Sequence, residues 1–152
     1  MLLVLTVLGV TSAQTTTLQE RMAGNMRDRE VAFQAAEAAL RDAEEWLEGQ
    51  TIPPQAGDEA YVYDQAAASA DPVWEQVDWS DESVLATLSV TGTYDEARYI
   101  VERMNALQSS SGVSVPGTVL KSKHIYRITA QGIGTSPDAR VMLQTTYKYG
   151  EQ

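Results

Sequence analysis

Few residues here could do covalent or metal chemistry. His124 is the single histidine, and the chain has no cysteine. Thiol catalysis, disulfides and Cys-ligated zinc are thereby excluded. Most His-based metal sites and general-base schemes go with them. His124 stands between Lys123 and Ile125 in an alternating segment, the place of a solvated or half-packed strand residue rather than a catalytic base. Asp78, Asp81 and Glu82 are the only calcium candidates, with Asp71 and Glu75 near them in sequence. A hard cation needs several oxygens on one turning loop. The EF-hand order is missing, so a solvated acidic loop is the preferred reading, and neither a metal nor a cofactor is expected. Trp74 and Trp79 lie among acids and suit covering a sheet better than binding sugar. No Gly-x-Ser-x-Gly, His-Glu-x-x-His or phosphate-cradling glycine loop occurs. A structural or interaction protein is expected, not an enzyme.

The 152 residues suffice for one domain, or one domain with an appendage. Apolar residues are 43% of the chain, enough for an ordinary core. The net charge of −10 disfavours unassisted binding to nucleic-acid phosphates. Charge is unevenly spread. Residues 49–97 hold ten acids and no base, whereas 98–152 hold seven bases and three acids. Either the acidic middle folds against the basic last third, or the two regions meet head to tail in neighbouring subunits.

The elements that must position these residues begin with a helix. Leu2, Leu3, Val4, Leu5, Val7, Leu8 and Val10 make the start apolar all round. That run is about half of the roughly 20 residues a membrane span needs. No basic residue precedes it, and Thr11-Ser12-Ala13 only loosely resembles a signal cleavage site. The expected reading is an interior Met, with the apolar segment beginning upstream. From Leu18 the pattern turns amphipathic. Leu18, Met22 and Met26 are four apart, and Phe33, Ala36, Leu40, Ala43 and Leu47 continue as a stripe predicted to pack on a sheet. Gly49 and Pro53-Pro54 end the helix. About 48 helical residues would reach on the order of 70 Å, more than the width of a 100-residue domain. One half must therefore project. Gly9, Thr15-Thr16-Thr17 and Gly24-Asn25 are its weak points.

Residues 49–97 read as a loop-rich connecting region, with Val84–Val90 suiting a helical turn or a strand. Arg98–Asn105, Lys121–Ile133 and Ala139–Tyr149 read as strands. A Ser/Gly-rich loop spans 108–117, and Gly134–Asp138 is a turn. The expected class is α+β, a long helix over an antiparallel sheet of three or four strands. The expected segments are 1–17 as an apolar membrane or filament-core helix, 18–48 as the amphipathic helix and 49–152 as the head, with the sheet in 98–149.

Residues 15–45 carry a more specific signal. Glu20-Arg21-Met22-Ala23-Gly24-Asn25 and Ala32-Phe33-Gln34-Ala35-Ala36-Glu37-Ala38-Ala39-Leu40-Arg41 strongly resemble the N-terminal region of the PilX family of type IV pilus minor pilins. Arg98-Tyr99-Ile100-Val101-Glu102 and Tyr126-Arg127-Ile128-Thr129-Ala130-Gln131-Gly132 look like that family's strands. The resemblance implies a subunit that sits in the bacterial inner membrane, head in the periplasm, then enters an extracellular pilus (fimbrium). It implies priming of assembly and a tip complex with other minor pilins and the major pilin. A large tip adhesin, cell adhesion and twitching motility belong to the same expectation; nucleic acid does not. No residue here matches the basic leader of a prepilin, and the usual C-terminal disulfide is missing. Glu20, Arg21, Arg27 and Arg29 are candidates for charge pairs between subunits. The alternatives are a type II secretion pseudopilin and a soluble periplasmic or secreted binding module with its N-terminus cleaved.

Overall fold

The computed structural model describes residues 2–67, 70–104 and 124–149, with the backbone alone for 2–15. One helix, α1 (Leu2–Glu48), passes without a break through Gly9, the three threonines and Gly24-Asn25. Its 47 residues correspond to about 70 Å. From residue 16 to Arg27 every side chain is exposed, and burial begins at Asp28, Val31 and Ala32. The second half therefore lies on the head, while the stretch from 16 to 27 stands clear of it.

The chain then contributes β1 (Val62–Asp64), a short helix α2 (Val73–Gln76), a 3-10 turn at Glu82–Val84, and β2 (Ala86–Leu88). Three longer strands follow, β3 (Ala97–Met104), β4 (His124–Ile133) and β5 (Arg140–Tyr149). The ambiguous segment from Val84 is thus a helical turn and a strand in succession. β3, β4 and β5 form the expected antiparallel meander, with Val101 opposite Ile128 and Ile128 opposite Thr145. Two short strands from the connecting region complete a five-stranded mixed sheet. Both lie along the same edge of β3, β1 parallel to Val101–Arg103 and β2 antiparallel to Ala97–Tyr99. The Ser/Gly-rich loop and the expected start of β4 at Lys121 fall outside the described residues.

Strand alternation sorts the sheet into two faces. Tyr99, Val101, Tyr126, Ile128 and Ala130 point toward α1 and form the main core with Ala35, Ala39, Ala43, Leu47 and Val62. Ile100 points the other way, where Val73 and Leu85 cover it, flanked by Tyr63, Trp74, Val77 and Trp79. The connecting region is therefore a lid on the outer face.

The buried stripe of the helix differs from the one the apolar residues suggested. Ala36, Ala43 and Leu47 are fully buried and Leu40 is half-buried, but Phe33 is 41% exposed. The buried face runs instead through Ala32, Ala35, Ala36, Ala39, Ala43 and Leu47, each at 0% exposure. The reason is Gly132 in β4. A Cβ there would collide with the Ala32 carbonyl oxygen and the Ala36 amide nitrogen and sit 3.1 Å from the Ala35 Cβ. The backbones of helix and strand approach so closely that only alanine fits between them, and a phenyl ring is turned out to solvent.

Tyrosines fix the lower end. Tyr126 Oη donates to the Pro54 carbonyl at 2.8 Å and Tyr149 Oη to the Gln50 carbonyl at 2.7 Å, tying β4 and β5 to the chain leaving α1. Tyr99 Oη donates to Asp42 on the helix at 3.0 Å.

Candidate functional site

The candidate site is the projecting stem and the place where it leaves the sheet. Leu18, Met22 and Met26 are exposed by 61%, 65% and 73%. With Phe33 they fall within roughly 80° of the helix circumference at 100° per residue, so the expected amphipathic spacing marks a stripe that no described residue covers. Burying one such side chain is worth about 1.5–3 kcal/mol. An exposed apolar stripe of this kind on a solvent-facing helix marks an interaction surface, for protein, membrane or ligand.

At the foot of the stripe, Met22, Asn25, Met26 and Arg29 line a groove of about 480 Å³ whose opposite wall is Ser136, Asp138 and Ala139, in the β4–β5 turn. Asp28 crosses the boundary beside it. Its Oδ1 accepts from the Thr135 amide at 2.5 Å, the Thr135 hydroxyl at 2.7 Å and the Ser136 amide at 3.2 Å. Its Oδ2 accepts from the Ser136 hydroxyl. These bonds, first the Ser136 hydroxyl and then that of Thr135, hold the carboxyl below the usual carboxylate range.

The charged candidates Glu20, Arg21, Arg27 and Arg29 are all exposed on the stem. No ion pair joins any of them to another side chain among the described residues. Arg29 lies in the groove beside Met22 and Met26, and Arg27 in a second groove with Gly24, Val31, Val90 and Thr135. Leu2, Leu3, Val4, Leu5, Val7, Leu8 and Val10 belong to α1, but their side chains lie outside the described part. Among the described residues no helix is long and apolar enough to cross a membrane.

The head places the remaining candidates apart. Asp78 Oδ1 accepts from the Ser80 amide and hydroxyl, and Asp81 Oδ1 from the Ser83 amide and hydroxyl. These serine hydroxyls, with their amides, lower both carboxyls. Glu82 turns instead to Arg98, at 3.4 Å. The three acids thus close separate local contacts, and no metal-holding group of carboxylates or histidine forms among the described residues. His124 begins β4 opposite Tyr149 and is half-buried.

Sequence reasoning passed over Asp28 and Gly132. A glycine inside a predicted strand is itself a sign of close backbone approach, so Gly132 was findable. For Asp28 the sign was weaker: an acid at the head's edge and a Thr-Ser-Pro turn 107 residues away.

Residues 1–41 match the family model described as PilX N-terminal. Over this region the chain resembles the PilX family of type IV pilus minor pilins. The PilX match contains the whole exposed stripe, all four charged stem candidates and Asp28. It ends where α1 is already seated on the sheet, so the head lies beyond it. No curated protein and no solved structure matches the chain.

Proposed function

We propose that the chain is a structural subunit that primes type IV pilus assembly and is incorporated in the pilus or its tip complex, without catalytic function. The observation that carries this is the uncovered stripe Leu18–Met22–Met26 on a helix that extends beyond its own head. A monomer gains nothing by holding such a stripe in water. A bundle of pilin stems, from other minor pilins and the major pilin, would cover it. The apolar start of the helix suits either lipid or the centre of such a bundle, so exchange between inner membrane and filament changes its burial little. Net selection would then rest on packing and on Glu20, Arg21, Arg27 and Arg29. A large adhesin at the tip is the partner this reading adds.

The test is incorporation. Met22→Glu with Met26→Glu, in the native cell, is expected to keep a folded head and lose incorporation into sheared pili, with fewer pili per cell. Arg27→Glu with Arg29→Glu is expected to weaken incorporation more mildly. Normal piliation and incorporation with all four changes in place would overturn the reading. Immunogold labelling along the shaft rather than at the end would remove the tip role alone. Gene neighbours of a secretion system would favour the pseudopilin alternative.

A further inference from the structure

We infer that Asp28 and the β4–β5 turn form a releasable clamp that sets the angle at which the stem leaves the head. Four donors from two consecutive residues, Thr135 and Ser136, converge on this one carboxylate. The turn that carries them is itself anchored. The Gly134 amide donates to the Ala139 carbonyl at 2.7 Å, and the Tyr94 amide donates to the Gly134 carbonyl at 2.6 Å. Gly134 also presses on the helix: a Cβ there would collide with the Asp28 carboxylate and lie 2.5 Å from the Asp28 carbonyl oxygen. Turn and helix therefore meet backbone to backbone, with the carboxylate as the bolt.

The position of the bolt gives it a job. Above it, from 16 to Arg27, the helix has exposed side chains only, and four residues above it stands Gly24, around which even an added Cβ would touch nothing within 4 Å. Below it the alanine face is locked on Gly132. A glycine in a helix interior favours bending or fraying, and its empty surroundings show that close packing does not require it. With the clamp shut, bending is confined to the Gly24-Asn25 turn. With the clamp open, the lever point drops to Ala32, the stem gains two more turns of freedom, and the groove between Met22, Met26 and Ser136 changes width. Asp28 sits at the protein surface, where its bonds compete with water and with donors on an incoming subunit, so the clamp can open without unfolding the head.

Two measurements on the full chain test this, neither requiring a pilus. The chain has no cysteine, so a label pair at Gln19→Cys and Gln144→Cys reports stem-to-head distance. In the parent a narrow distance distribution is expected, and Asp28→Ala should broaden it at least twofold, as should Thr135→Ala with Ser136→Ala in part. Hydrogen exchange should rise severalfold at residues 25–31 and 134–136 in Asp28→Ala, and stay unchanged at 39–47 and 126–131. Unchanged distances and exchange would overturn the clamp. Acceleration spread evenly through 31–47 would also overturn it, since that is the mark of a merely structural contact.

Discussion

Gly132 and Asp28 show how single atoms decide what the stem does. A methyl at 132 meets backbone atoms of Ala32 and Ala36, which have no rotamer to yield with. Gly132→Ala is therefore expected to push α1 off the sheet, costing about 2–3 kcal/mol and lowering the thermal midpoint by on the order of 10 °C; calorimetry of the chain checks it. Asp28 makes a different prediction. Its hydrogen bonds favour the ionised carboxyl and depress its pKa in the folded state. A depressed group lends its stabilisation above its unfolded pKa, about 4, and loses it as pH falls through the lower folded value. Arg29 and Asp138 face it from the groove and Arg27 from the other flank, but the hydroxyl donors dominate. Exchange at 134–136, divided by the intrinsic amide rate at each pH, should thus be constant from pH 7 down to the ordinary carboxylate range and climb only below it. An Asp28→Asn chain should lack that rise. A third site is the pair of Glu102, 1% exposed, and Arg127, whose Nη2 donates to Oε2 at 2.6 Å. Arg127→Met strands a buried carboxylate and should destabilise by about 3 kcal/mol. Adding Glu102→Leu should recover part of that, the remaining loss coming from the Ala66 amide, which loses its acceptor.

At the scale of the elements, the helix was legible in length and start-to-stop chemistry because Ala, Glu, Arg and Gln dominate residues 19–48 and prolines follow. The strands β3 to β5 were legible because their apolar and polar residues alternate. Within the expected stripe Ala36, Ala43 and Leu47 are buried and Leu40 half-buried, and Phe33 is the exposed member. Periodicity weighs large apolar residues, and Phe33 is larger than the alanines around it, whereas the sheet offers Gly132 and Ala130 and admits only small side chains. Substitution separates the two readings. Phe33→Ala is expected to change head stability by less than about 1 kcal/mol, because a 41% exposed ring leaves little cavity. Leu47→Ala, at 0% exposure, is expected to cost about 3 kcal/mol. Chemical denaturation of the two variants gives the comparison. β1 and β2 were not legible. Three residues each are too short for a period, and what makes them strands is the open edge of β3.

Across the whole molecule, charge is what the sequence posed and the fold partly answers. Arg98 pairs with Asp95 at 2.8 Å and Glu82 at 3.4 Å, and Arg103 with Asp64 at 2.8 Å, so bases of β3 meet acids of the middle region within one head. Among the described residues no ion pair answers the acids at the lower end. Glu45 and Glu48 stand exposed in the last turn of α1, which carries no basic residue. Helix-terminal carbonyls repel such charges by about 0.3–1 kcal/mol each at low salt. Tyr147, beside them, has its pKa raised by burial first and then by Glu48 and Glu44. If these acids serve only solubility, Glu48→Lys should raise head stability by about 0.5–1 kcal/mol at 20 mM salt, with most of the gain gone at about 1 M, where screening reaches only about 3 Å. Paired melts at the two salt concentrations measure it. A gain that survives high salt would assign the effect to packing against Tyr147 rather than to charge. A gain in stability accompanied by lost incorporation into pili would place the acidic end opposite a basic surface of the next subunit, making the unfavourable charge the cost of an assembly contact.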